Sequence, residues 1–165
     1  MTFWILAISY WIHLLTTVIW LGGMALMALV AWPALRQGSL TDNQWLTLQQ
    51  KFLPYANASL ILLLLTGFVQ MTNDSNYNGF LTVDSVWAWA ILVKHIAFIG
   101  MVVIGGLVQG GLYPAMQRTR LLAANRPDQA AAEQKILQQK EIRYLRLNLI
   151  CAVLVLLCTA VATAV

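Results

Sequence analysis

Two histidines stand inside apolar stretches of this chain, and they are the side chains whose type and setting suit chemistry. His13 lies in the run Ser9 to Met27, SYWIHLLTTVIWLGGMALM, and His95 lies in a later run that opens with Trp87. An imidazole in such a setting ligates a metal or a haem iron, hands on a proton, or packs as a hydrogen-bonded polar residue. Lys94 directly precedes His95, and an ammonium at that depth must snorkel outward or find a partner such as Asp74, Asp84 or a haem propionate. Met24, Met27 and Met101 offer soft thioethers of the kind that suit copper. Cys151 and Cys158 are seven residues apart. That is roughly 10 Å along a helix axis, too far for a disulfide with each other. They read as small core residues rather than a redox pair.

The elements that must position these residues are membrane helices. Of the 165 residues, 60% are hydrophobic and 10% charged, against about 25% charged in soluble domains. The uncharged run from Met1 to Leu35 exceeds the roughly 20 residues that cross a bilayer. Without a basic start or a cleavage pattern it reads as a retained helix, not a leader. Similar runs predict four spans, near 4–32, 54–71, 85–112 and 145–163. They form one all-α integral membrane domain over 1–165, a four-helix bundle with a cytoplasmic helical extension over 113–144. Trp32 to Phe52 holds Arg36 and Lys51 against Asp42, a balance of +1. Asn73 to Asp84 holds only Asp74 and Asp84, giving −2, and Arg118 to Arg146 holds seven basic and three acidic residues, giving +4. Basic loops stay inside, so both chain ends are expected outside (N-out, C-out) in a bacterial inner membrane. The basic loop lacks interleaved aromatic platforms apart from Tyr144, which argues for a topology signal and against nucleic-acid binding.

Along the chain, Trp4, Tyr10 and Trp11 suit the outer interface and Trp32 the inner one. Pro33 is expected to bend or end the first helix, and Gly22 and Gly23 to permit close approach of a neighbour. Ser39 or Thr41 suits the cap of a short helix through Trp45 to Phe52, with Pro54 opening the second span. Asn57, Thr66 and Gln70 read as helix-packing glue. Pro114 is placed to kink the third helix. Asn125 and Pro127 look like a break and restart, after which a polar run rich in helix formers leads into the fourth span without a loop. No internal repeat and no phosphate-binding glycine loop is evident.

In a four-span protein the first and third helices run in the same direction. His13 and His95 each lie nine or ten residues into their helices, so both are roughly 14 Å deep. Equal depth on parallel helices is what two axial ligands of one haem require. Helical spacing places Ser9, Thr17, Trp20 and Met24 with His13, and Ile99, Val102 and Gly106 with His95. A hydroxyl on the first face is available to hold a ring nitrogen, Trp20 to pack on a porphyrin, and Gly106 to leave space for one. The alternatives are buried packing histidines, a copper site and a proton-handling or porphyrin site.

His13 followed by Trp20-Leu21-Gly22-Gly23, with Leu92-Val93-Lys94 opening a later helix, resembles the membrane domain of the copper-resistance D family. The same arrangement is similar to the HemJ-type protoporphyrinogen oxidases, small haem b-binding membrane proteins in which a first-helix His and a later Lys matter. The resemblance implies roles for His13 and Lys94. The chain departs from it where Pro33 is followed by Ala34 and Leu35, with Arg36 displaced from the Pro-Arg-Leu element of the HemJ type. His95 is additional to both patterns, and favours a two-histidine site like that of small b-type cytochromes. The leading expectation is therefore a haem b held by His13 and His95 for electron transfer, working with a membrane redox partner or larger complex. Copper handling, porphyrinogen oxidation and a purely structural subunit are the alternatives.

Overall fold

The computed structural model describes residues 3–77, 79, 84–123 and 126–165. Every element is helical: α1 (Phe3–Leu26), a π-helical turn (Met27–Ala31), α2 (Trp32–Arg36), α3 (Asp42–Thr72), α4 (Val86–Leu107), a second π-helical turn (Val108–Leu112), α5 (Tyr113–Leu122) and α6 (Pro127–Ala164). Among the described residues, four continuous helical stretches are long and apolar enough to cross a membrane: Phe3–Arg36, Asp42–Thr72, Val86–Leu122 and Pro127–Ala164. The chain divides into two compact units, Met1–Trp89 and Ala90–Val165.

In the first unit, α1 and α3 form an antiparallel hairpin. At one end Ser9 meets Thr66 and Gln70, and at the other the Trp32 and Trp45 rings pack edge to face with centroids 6.1 Å apart. The buried side of α1 runs Ser9, Thr16, Trp20, Met24 and on through Met27 and Ala31, a stripe with helical spacing. Leu14, Val18 and Leu29 point outward, where lipid tails suit them. Gly23 faces Phe52, and a Cβ there would run into the ring, whereas a Cβ at Gly22 meets nothing within 4 Å. Of the two glycines, only Gly23 serves close approach.

Thr41 is the cap of α3. Its hydroxyl accepts from the Gln44 N–H, and the Gln44 side chain accepts from the Thr41 N–H at 2.9 Å, a reciprocal capping box. The helix started there does not stop at Phe52. It passes through Pro54 and continues to Thr72, so Pro54 lies inside a helix and does not open one. The missing proline N–H frees one carbonyl, which a long packed membrane helix tolerates.

Pro33 likewise does not end the first span. A proline ring clashes with the carbonyl four residues back. The chain relieves that clash with a wider turn just before it, where the Trp32 N–H bonds to the Met27 carbonyl, five residues back. The second unit repeats the device: the Tyr113 N–H bonds to the Val108 carbonyl just before Pro114. Both units thus carry a five-residue π turn followed by aromatic-Pro-Ala (Trp32-Pro33-Ala34 and Tyr113-Pro114-Ala115), with a histidine about five turns upstream. The shared feature is one of backbone geometry, not a repeat of sequence.

In the second unit α4 and α6 are antiparallel. Cys151 Sγ lies 3.8 Å from where a Cβ on Gly100 would sit, and seven residues on, Cys158 is within electrostatic reach of Lys94. α6 is one helix of 38 residues, roughly 57 Å at 1.5 Å per residue, against a hydrocarbon core of about 30 Å. The polar run and the fourth span are continuous, as expected. Of the expected break and restart, Asn125 lies outside the described residues, as do Ala124, residue 78 and residues 80–83, and Pro127 is the first residue of α6.

Gly23→Val is expected to destabilise the protein by about 1–3 kcal/mol through overpacking against Phe52, and Gly22→Val to change stability by less than half of that. Thermal unfolding of the two variants in one detergent checks this contrast.

Candidate metal-binding site

His13 is held from α3. Its Nδ1 lies 2.8 Å from Thr66 Oγ1, and Thr66 Oγ1 is 2.6 Å from the Leu62 carbonyl oxygen. A hydroxyl has one proton to give. Thr66 gives it to Leu62, so the Thr66 oxygen accepts from His13 Nδ1–H. The ring is then the tautomer whose lone pair is at Nε2, the atom that ligates a metal or takes a proton. Gly67 lies beside the ring: a Cβ there would meet His13 Cε1 at 3.7 Å, an ordinary van der Waals contact. Ser9 and Gln70 tie the same two helices together one turn nearer the start of α1, through Ser9 Oγ to the Thr66 carbonyl and Gln70 Nε2 to the Ser9 carbonyl, each 3.4 Å.

The hydroxyl that orients the ring therefore comes from the neighbouring helix. Thr17 donates to the His13 backbone carbonyl at 2.7 Å and does not hold the ring. Thr66 and Gln70, read from the sequence as packing glue, are the partners that matter. The signal was present in their spacing, since Thr66 and Gln70 are four apart on one face, but the α1–α3 register was needed to use it. Trp20 is 4% exposed, so its indole is enclosed by the protein on the same stripe.

His95 reaches the same state by a local route. Its Nδ1 lies 2.7 Å from the Ile91 carbonyl oxygen. A carbonyl only accepts, so Nδ1 carries the proton and Nε2 the lone pair. The side of α4 predicted to go with His95 is largely outward: Ile99 is 61% and Val102 45% exposed, and nothing lies within 4 Å of a Cβ at Gly106. Lys94, by contrast, belongs to the stripe of Ala90, Ala97 and Met101, which is buried, and interacts with Cys158 of α6. Lys94 and His95 are both half-buried.

The two histidines belong to different units, His13 to the first and His95 to the second. Among the described residues no group of three or more His, Cys, Asp or Glu stands close enough to hold a metal ion. What the structure provides is two imidazoles in the same tautomer, each with Nδ1–H committed to an oxygen.

Thr66→Val should remove the acceptor and release the His13 ring, while Thr66→Ser should keep it. Nitrogen NMR of histidine-labelled protein checks this, with a mixed tautomer signal expected in the valine variant alone.

The comparisons with known proteins agree with these helices. The family profile described as Copper resistance protein D matches residues 46–162. The matched region contains Lys94 and His95 and begins after α1, so His13 lies before it. No curated protein and no solved structure matches the chain. A profile covering that much of four apolar helices shows that the chain is an integral inner-membrane protein and belongs to the copper resistance protein D family.

Proposed function

We propose that this protein handles copper ions within the membrane, taking them through Nε2 of His13 and Nε2 of His95, with both chain ends on the outer side. The observation that carries the reading is that each ring holds Nδ1 within hydrogen-bond distance of an oxygen, Thr66 Oγ1 at 2.8 Å and the Ile91 carbonyl at 2.7 Å, the outer-sphere arrangement that orients a histidine ligand and raises its basicity. Membership of a family described by copper resistance points to the ion. The side chains point the same way: Met24, Met27, Met71, Met101 and Met116 are all buried, and thioethers favour copper over harder cations. The ion is the cargo in this reading, so a site with few ligands, from which it leaves readily, is appropriate.

An imidazole Nε2 also suits haem b iron; that second reading makes the protein an electron carrier working with a membrane redox partner. A role for Lys94 in porphyrinogen oxidation has less support, since Lys94 lies on the stripe that meets α6.

Vesicles reconstituted with purified protein and offered copper separate the readings. Copper uptake above protein-free vesicles, reduced at least tenfold in His13→Ala and in His95→Ala, is expected. A sharp low-spin haem b spectrum on reduction, lost in both variants, together with no copper uptake, would replace copper handling with electron transfer.

A further inference from the structure

We infer that Lys140, Arg143 and Arg146 of α6 form a binding surface for the headgroup of an anionic phospholipid, at the end of the fourth span that begins at Leu147. The inference concerns how the second unit meets the bilayer and is independent of the ion the protein handles.

The length of α6 sets the depth of these residues. From Leu147 to Ala164 the helix carries no charged side chain. That stretch is roughly 27 Å long at 1.5 Å per residue, which matches a hydrocarbon core of about 30 Å. The headgroup layers add about 5–7 Å on each side. Arg146, Arg143 and Lys140 stand one, four and seven residues before Leu147, so they lie roughly 2, 6 and 10 Å beyond the core along the axis. All three are exposed, and their stems are long enough to carry the charge to the headgroup layer. Lys135 lies roughly 18 Å beyond the core, and Arg126 roughly 30 Å.

The faces of α6 sort its charges. Leu147, Ile150 and Leu154 are 40%, 64% and 38% exposed and share one face by helical spacing, the face turned to lipid. Arg143 continues that face one turn before Leu147, with Lys140 and Arg146 three residues to either side. The acid between them, Glu141, points the other way: it is 3% exposed and interacts with Tyr113. Asp128 and Glu133, the other acids of α6, lie about 20 Å or more beyond the core. No acidic residue stands three or four positions from any of the three cations. Residues three apart on a helix are neighbours, and like charges at that spacing repel. A lipid phosphate seated between them relieves the repulsion and accepts charge-assisted hydrogen bonds from the guanidinium groups. A zwitterionic headgroup adds an ammonium of its own, which these cations repel, so the surface selects a lipid of net negative charge.

The test is native mass spectrometry of the full chain in detergent, offered equal amounts of phosphatidylglycerol and phosphatidylcholine with the same acyl chains. The wild type is expected to retain phosphatidylglycerol at least fivefold over phosphatidylcholine. That preference should fall at least threefold in Arg143→Gln/Arg146→Gln, and hold in Arg126→Gln/Lys135→Gln, which removes the same charge beyond the headgroup layer. Equal retention of the two lipids by the wild type, a preference that survives Arg143→Gln/Arg146→Gln, or an equal fall in both double variants would overturn the assignment.

Discussion

A lipid interior offers no water to a polar group, and that constraint organises everything inside these helices. Threonine hydroxyls meet it by bonding back to their own helix, as Thr16, Thr119 and Thr159 do. Thr66 does the same, and that local choice has a consequence for its neighbour. Having spent its proton on Leu62, the Thr66 oxygen can only accept, so the His13 ring that meets it must present Nδ1–H. One short bond between α1 and α3 thereby fixes the hairpin's register and the chemical identity of its histidine. His95 reaches the same tautomer against its own Ile91 carbonyl, which shows that the outcome does not depend on one particular neighbour.

The backbone answers the constraint in a parallel way. Prolines 33 and 114 each remove a donor and displace a carbonyl, and in both spans the chain widens by one residue just before the ring so that the N–H of the preceding aromatic residue still finds an acceptor. The two units share this device, although their sequences share little more than an aromatic-Pro-Ala triplet. A repeat of this kind lives in hydrogen-bond geometry, and identity between residues does not reveal it.

Much of the architecture was legible because hydropathy and length measure the bilayer directly: four apolar helices, a capped start at Thr41, an uninterrupted α6. What was not legible depended on neighbours. Pro33 read as a bend or end and Pro54 as a helix start because local propensity says so, yet the helical chain continues through both. At the site, the wheel gathered Ser9, Trp20 and Met24 with His13, and those three lie on the buried side of α1, but the ring's partner came from α3. Around His95 the wheel gathered Ile99, Val102 and Gly106, and these proved outward. A helical wheel gives angles between residues but not which angle faces the next helix. The same limit hid Lys94, which shares the buried stripe of Met101.

The central claim is that imidazole Nε2 atoms in a fixed tautomer take a copper ion. The most direct measurement is pulsed electron paramagnetic resonance of the purified protein loaded with cupric ion as a spin probe, because the remote nitrogen of a ligating imidazole modulates the echo. Imidazole modulation in the wild type that is lost or weakened in His13→Ala and in His95→Ala is the result this account predicts. Bound copper with no imidazole modulation, or modulation unaltered by either substitution, would contradict it.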